Sequence, residues 1–221
     1  MKKFALLSLI IALCSLSCLA QGQKMAVKGC SIEGSTKLFV EKMTQLEFVL
    51  DEERIPQNIK GNFSKYALNE TPVALKGKLL NRPVTLRVFG SKLSATVYQV
   101  NAVFHYGESC YSWKTLLATY DFVTEQFMIK YGNPTSKKTM LTTKSPDDKS
   151  IIASFAGVAA DGPKSIWEEI FPAEDGIIKV SIICSGLESW CSYGSVVVSY
   201  ISTSGTALHK RELKDAYQSE I

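Results

Sequence analysis

Apolar positions change period several times along this chain, and each change marks an element. Met25–Gly29 is a short, mostly apolar opener. Phe39, Met43 and Leu46 then recur at i, i+4 and i+7, with Leu38 widening the stripe. That spacing puts them on one side of an α-helix of about three turns. Ser35, after Gly34, stands where an N-cap is needed. Leu46–Leu50 alternates weakly and reads as the start of a strand, and Asp51–Thr71 is polar and irregular. The period then drops to two. Val73–Leu80 is bounded by Pro72 and Asn81-Arg82-Pro83, and Val84, Leu86 and Val88 alternate with Thr85, Arg87 and Phe89. After a tight turn at Gly90-Ser91, Leu93–Tyr106 alternates in the same way. Such alternation predicts antiparallel strands with one wet face.

A longer helical stripe follows. Trp113, Leu116, Leu117, Tyr120, Phe127 and Tyr131 share one face, with Ser112 placed to cap the start. Gly132 suits the left-handed position after the last turn, and Pro134 stops continuation. Thr135–Lys149 reads as a loop. Strands resume at Ile151–Phe155, Ser165–Phe171, Ile177–Cys184 and Ser195–Ser202, with turns at Gly157–Pro163 and Glu174–Gly176. Thr206–Ile221 is polar, with a weak Leu208, Leu213, Ala216, Tyr217 stripe, a frayed helix at best. The expected class is α+β: antiparallel sheet covered on one face by a short and a long helix. The order also points to two tandem α-ββββ units, 25–106 and 107–203, within a globular domain 21–203, and a polar tail 204–221.

The N-terminus carries an address. Lys2 and Lys3 precede Phe4–Leu19, an apolar run broken only by Ser8, Ser15 and Ser17. Cys18 and Ala20 put small residues before a cut after Ala20, the pattern of a secretory signal peptide spanning 1–20. A cut after Gly22 fits the same rule. For a retained membrane anchor the run is slightly short, and no charge cluster follows to stop transfer. An acylated Cys18 would suit Leu16 and Ser17, but Ser15 stands where leucine is wanted. The expected destination is periplasmic or extracellular, with no transmembrane span once the leader is removed. Two sequons, at Asn62 and Asn69, matter only on a eukaryotic secretory path.

Composition agrees with a globular body. The 221 residues include 25 Lys+Arg and 21 Asp+Glu, a net charge of +4, and 46% are hydrophobic. These values exclude a disordered chain, a collagen-like repeat and a polytopic membrane protein. Loss of Lys2 and Lys3 with the leader lowers the charge to +2, too little for a nucleic-acid binder. Of the six cysteines, Cys14 and Cys18 leave with the leader. Cys30, Cys110, Cys184 and Cys191 remain, an even number that in an exported chain points to disulfides. Cys184 and Cys191 flank Ser185–Trp190 between two strands, which suits a hairpin-end bridge, and Cys30 with Cys110 follows by elimination. Four reduced thiols are the other reading. No CxxC occurs, and His105 and His209 lack ligand spacing, so no metal or other cofactor is expected.

Val27-Lys28-Gly29-Cys30-Ser31-Ile32-Glu33-Gly34-Ser35, followed by Phe39 and Val40, resembles the opening of a family of exported bacterial proteins of uncharacterised function. Tyr131-Gly132-Asn133-Pro134 looks like that family's exit from its long helix, and Gly77 and Asn81-Arg82-Pro83-Val84 are similarly placed. The likeness spans most of residues 25–203. The family's architecture is similar to the β-lactamase-inhibitor-protein-like fold, so the resemblance implies helices over one face of an antiparallel sheet. It also implies a non-catalytic binding or assembly role. Cys30 and the Cys184/Cys191 pair depart from the pattern, and no inhibitory surface can be carried over.

Few chemistries remain. His105 precedes Cys110 by five residues, and a Cys–His pair there would serve a secreted hydrolase. A disulfide-bonded Cys110 is the plainer alternative. Glu168-Glu169 and Asp147-Asp148 are adjacent, so on a strand they point to opposite faces and read as surface solubility. Asp51-Glu52-Glu53 reads as a solvated run. Trp190 and Tyr193 lie beside Cys191 in the Ser185–Gly194 loop, and Tyr106 and Tyr111 flank Cys110. Tethered loop aromatics suit a protein or glycan interface, because rigid rings lose little entropy on binding, although they equally suit capping a core. Trp113 and Trp167 are expected to be buried. The leading expectation is an exported, non-catalytic binding or envelope-associated module; the alternative is a hydrolase near His105. Intact-mass analysis of exported protein is expected to give a chain beginning at Gln21, and an exported product retaining Met1 would refute the leader.

Overall fold

In a computed structural model the described residues are 22–51, 72–104, 113–139, 164–188 and 191–218. A small hairpin opens the chain: β1 (Ala26–Val27) and β2 (Cys30–Ser31), joined by Lys28 and Gly29 with φ of 52° and 81°. Left-handed values at both turn residues match the right-handed twist of the strands. Helix α1 (Thr36–Gln45) starts where the sequence places it, and the Leu38 N–H donates to Ser35 Oγ at 3.3 Å. Its buried side is Phe39, Val40 and Met43, whereas Leu38, expected in the stripe, is 46% exposed. There follow β3 (Val49–Leu50), β4 (Val73–Leu79), β5 (Arg82–Gly90) and β6 (Val97–Phe104). Helix α2 (Trp113–Tyr131) ends at Gly132, φ 79°, whose N–H donates to Met128 O at 2.9 Å. Then come β7 (Ser136–Thr139), β8 (Lys164–Ala173), β9 (Gly176–Glu188), β10 (Cys191–Ser202) and α3 (Thr203–Gln218).

Strands β3 to β10 form one eight-stranded sheet in the order β3-β4-β5-β6-β10-β9-β8-β7, antiparallel throughout. The register lines up rows of side chains across it. Val73, Val88, Val100, Tyr200, Ile178 and Phe171 face one another in sequence from β4 to β8. All six are buried, and because side chains alternate along a strand the row marks one face. A second row on that face runs Leu75, Leu86, Ala102, Val198, Val180 and Glu169. Phe39, Val40 and Met43 of α1 and Tyr120, Val123, Phe127 and Tyr131 of α2 join these rows in one apolar cluster. The short and the long helix therefore lie on the same face. Among the described residues the result is a mixed fold of three helices and one large antiparallel sheet. Among the described residues no helix is long and apolar enough to cross a membrane.

Four expectations need correction. Ser136–Thr139 is not loop but strand, paired with β8 from Ser136↔Ile170 to Thr139↔Trp167. All four of its residues are exposed, so no apolar alternation announced it. The polar tail is not frayed: it forms the sixteen-residue α3. Ser202 Oγ accepts the Gly205 N–H at 3.1 Å, which satisfies a first-turn donor. Gly205 is buried so close to β6 that a Cβ there would lie 2.9 Å from Tyr98 Cα. The contact is made by the absence of a side chain, which hydrophobic periodicity cannot register. The Gly90-Ser91 turn is longer than expected: β5 runs through Gly90, residues 91–96 form the connection, and β6 begins at Val97. The Ser185–Gly194 loop is mostly hairpin, with β9 reaching Glu188 and β10 starting at Cys191. The expected strand Ile151–Phe155 lies outside the described residues.

Gly77 explains how the edge of the core closes. It sits on β4 opposite Val84, and a Cβ there would overlap the Phe48 ring. Phe48 is buried flat against that gap. Gly77→Ala is expected to lower stability by about 1–3 kcal/mol through overpacking, read as a shift of the urea midpoint. An unchanged midpoint would remove Phe48 from this contact.

Candidate functional site

Two hairpin tips and the end of α2 enclose a cleft of about 220 Å³. Its floor is aromatic. Phe127 and Tyr131 stack at 5.7 Å between ring centres and 14°, and Tyr200 meets Phe127 at 6.0 Å. One wall is the β1–β2 tip, with Lys28 and Gly29 at the lip. The facing wall is the β4–β5 turn, where Leu80 and Asn81 have φ of 53° and 59°. A leucine in left-handed backbone costs about 1–2 kcal/mol, so the surrounding structure holds this turn in place. Gln126 and Lys130 of α2 complete the enclosure.

The N-terminal hairpin is pinned to this position from two sides. The Ala26 N–H donates to the Tyr131 hydroxyl at 3.4 Å, and the Met25 N–H donates to Asp175 Oδ1 at 2.8 Å. Lys28 Nζ donates to Leu46 O at 3.0 Å and lies 5.5 Å from the Phe48 ring centre. Lys130 Nζ lies 5.0 Å from the Tyr131 ring centre. Burial, and then the neighbouring Tyr131, push the Tyr200 hydroxyl well above the usual phenol range, so it stays protonated. Among the described residues lining the cleft the only charged side chains are Lys28 and Lys130. The arrangement suits holding an apolar group with a cationic lip over it.

A second cluster lies between α2 and β8. Glu169, read from the sequence as surface solubility, is instead 2% exposed. The second core row ends on it, and it pairs with Lys137 of β7. Glu168 lies on the opposite face, as its adjacency to Glu169 requires, with Lys179 Nζ at 3.7 Å, and Asp147-Asp148 lie outside the described residues. The Tyr120 hydroxyl is buried near Thr124 and Glu169 without a hydrogen bond of good geometry to either. Burial, and then the charge of Glu169, raise its pKa beyond the usual phenol range. Trp167, half-buried, packs against Tyr120 at 6.1 Å between ring centres.

The residues singled out from sequence are not brought together at the cleft. Trp190, Tyr106, Tyr111, Cys110 and His105 lie outside the described residues, as does the side chain of Trp113. Tyr193 falls within β10. Cys184 is opposite Gly194 and Cys191 is opposite Glu188, so the backbone register does not set the two cysteines against each other. Four residues of strand separate those levels, about 13 Å, against a Cα span of about 4.4–6.8 Å in a disulfide. Cys30 is a buried free thiol rather than half of a bridge to Cys110, and burial raises its pKa against a small opposing effect of Lys42. His209, expected in a loose tail, sits on α3 and stacks on Tyr98 at 4.1 Å. Among the described residues no three His, Cys, Asp or Glu side chains gather as a metal site. Comparison with protein-family models, curated protein sequences and solved structures gives no match.

One carboxylate holds α3 in place. Glu212, 6% exposed, accepts the Leu93 N–H at 2.7 Å and the Ser94 N–H at 3.3 Å. Burial alone would raise its pKa, but hydrogen bonds from Ser94, Leu93 and Ser91 outweigh burial and lower it. A folded-state pKa below the unfolded value adds stability above the unfolded pKa, and that stability is lost as pH falls through the folded pKa. Glu212→Gln is therefore expected to cost about 1.5–3 kcal/mol at pH 7, and progressively less below about pH 4.3. Urea melts across pH 3–7 check this; a cost independent of pH would exclude the charged form as the anchor.

Proposed function

We propose that this chain is an exported, non-catalytic binding module, associated with the cell envelope, whose cleft receives an apolar group. The observation that carries the reading is the cleft itself. An aromatic floor, two strained hairpin tips and a lysine at each side make a pre-formed concave site, and pre-formed apolar pockets are the usual form of ligand sites. The leader Met1–Ala20 supports export. The domain is read as two tandem α-ββββ units, α1 with β3–β6 and α2 with β7–β10. The strand order supports this, since each set of four is contiguous and the last strands of the two sets meet at the centre. The likeness to the β-lactamase-inhibitor-protein-like architecture supports the non-catalytic binding role. Trp190, Tyr193, Tyr106 and Tyr111 are proposed, from the sequence, as a second set of contacts to a protein or glycan.

The cleft exceeds the roughly 150 Å³ engineered cavity that is known to hold benzene, so indole is a suitable neutral probe. Titration of mature protein with indole is expected to shift the amide signals of Gly29, Leu80 and Lys130. Gln126→Trp, which fills the cleft, is expected to weaken this binding about tenfold or more. Shifts that leave these amides untouched, or survive the filling variant, would move the site elsewhere.

A further inference from the structure

We propose that the ligand of the cleft is a small apolar carboxylate, an alkyl or aryl chain with one anionic end; the inference rests on the binding-module reading above. Size sets the first limit. At about 25–30 Å³ per buried non-hydrogen centre, 220 Å³ accommodates about eight non-hydrogen atoms. That is a medium-length chain or a single ring system, well short of a full-length lipid or a folded partner's surface.

Charge sets the second limit. Lys28 and Lys130 come from different elements at the lip, and the described lining residues include no carboxylate. Lys28 Nζ rests on Leu46 O and near the Phe48 ring, beside the cleft rather than inside it, and keeps two donors. Lys130 is exposed and held over the face of the Tyr131 ring, so its ammonium stays at the mouth of the cleft. A carboxylate at the lip lies in the field of two lysines, while its chain lies on Phe127, Tyr131 and Tyr200. A cationic amphiphile of the same length meets like charge, and a neutral one leaves the lip unused.

The test compares three eight-carbon probes, octanoate, 1-octanol and octylammonium, by calorimetry and amide shifts on mature protein at pH 7. Octanoate is expected to bind about five- to tenfold tighter than octanol, the scale that two half-solvated ammonium–carboxylate contacts support. Octylammonium is expected to bind more weakly than octanol. Lys28→Gln with Lys130→Gln should bring the ratio of octanoate to octanol affinity to about one, and raising the salt to 1 M should shrink that ratio in wild type. Octanol and octanoate binding alike would overturn the carboxylate assignment and leave the binding module standing. Failure of all three probes and of indole at the cleft amides would overturn both.

Discussion

The pairing of β6 with β10 is the constraint on which the molecule turns. These two strands come from distant parts of the chain, and Val100↔Tyr200 and Phe104↔Val196 fix their register. Without that junction the sheet would fall into two four-stranded pieces. With it, each row of side chains crosses six strands without a break in phase, and one face becomes apolar from β4 to β8. A slip of one residue would send Val100, Ala102 and Phe104 to the opposite face, so the junction is strongly specified by burial. The two helices on that face then pack into a single cluster, and the cleft exists only because α2 ends beside the N-terminal hairpin.

A second link gathers the remaining elements at residues 91–96. The Thr36 N–H and its hydroxyl both donate to Ala95 O at 2.8 Å, which fastens the start of α1. The Val97 N–H donates to Gly34 O at 2.8 Å. Ser91 closes the connection on itself, donating its N–H to Thr96 O at 2.7 Å and accepting the Thr96 N–H at 3.1 Å. Glu212 takes two more amides of the same connection. A short polar segment that looks like an ordinary turn thus orients α1 and α3 together, and loosening it would disturb both helices at once.

Local signals were legible wherever one element carried them alone. Ser35 as a cap, Gly132 as a stop and the alternation of Val84, Leu86 and Val88 all depend on neighbours within a few residues. The features that were missed depend on partners far away. Gly205 matters because β6 lies against it, and Glu212 because amides from Leu93 and Ser94 reach it. Glu169 reads as surface charge until β7 brings Lys137 beside it. The cleft was illegible for the same reason: its walls come from residues near 28, 80 and 130. Only the Asn81-Arg82-Pro83 boundary after Val73–Leu80 left a trace, as a place where a strand had to stop.

The outer margins of the sheet carry a consequence of their own. Among the described residues one margin is β3, only two residues long, and the other is β7, with Lys137 and Lys138 in succession. A strand margin offers unpaired amides and carbonyls to any matching strand. Two copies of β7 aligned edge to edge would set lysine against lysine, and β3 offers too little ladder to nucleate a join. Growth of one sheet into the next is disfavoured at both of these margins, so a broad β surface need not template its own extension.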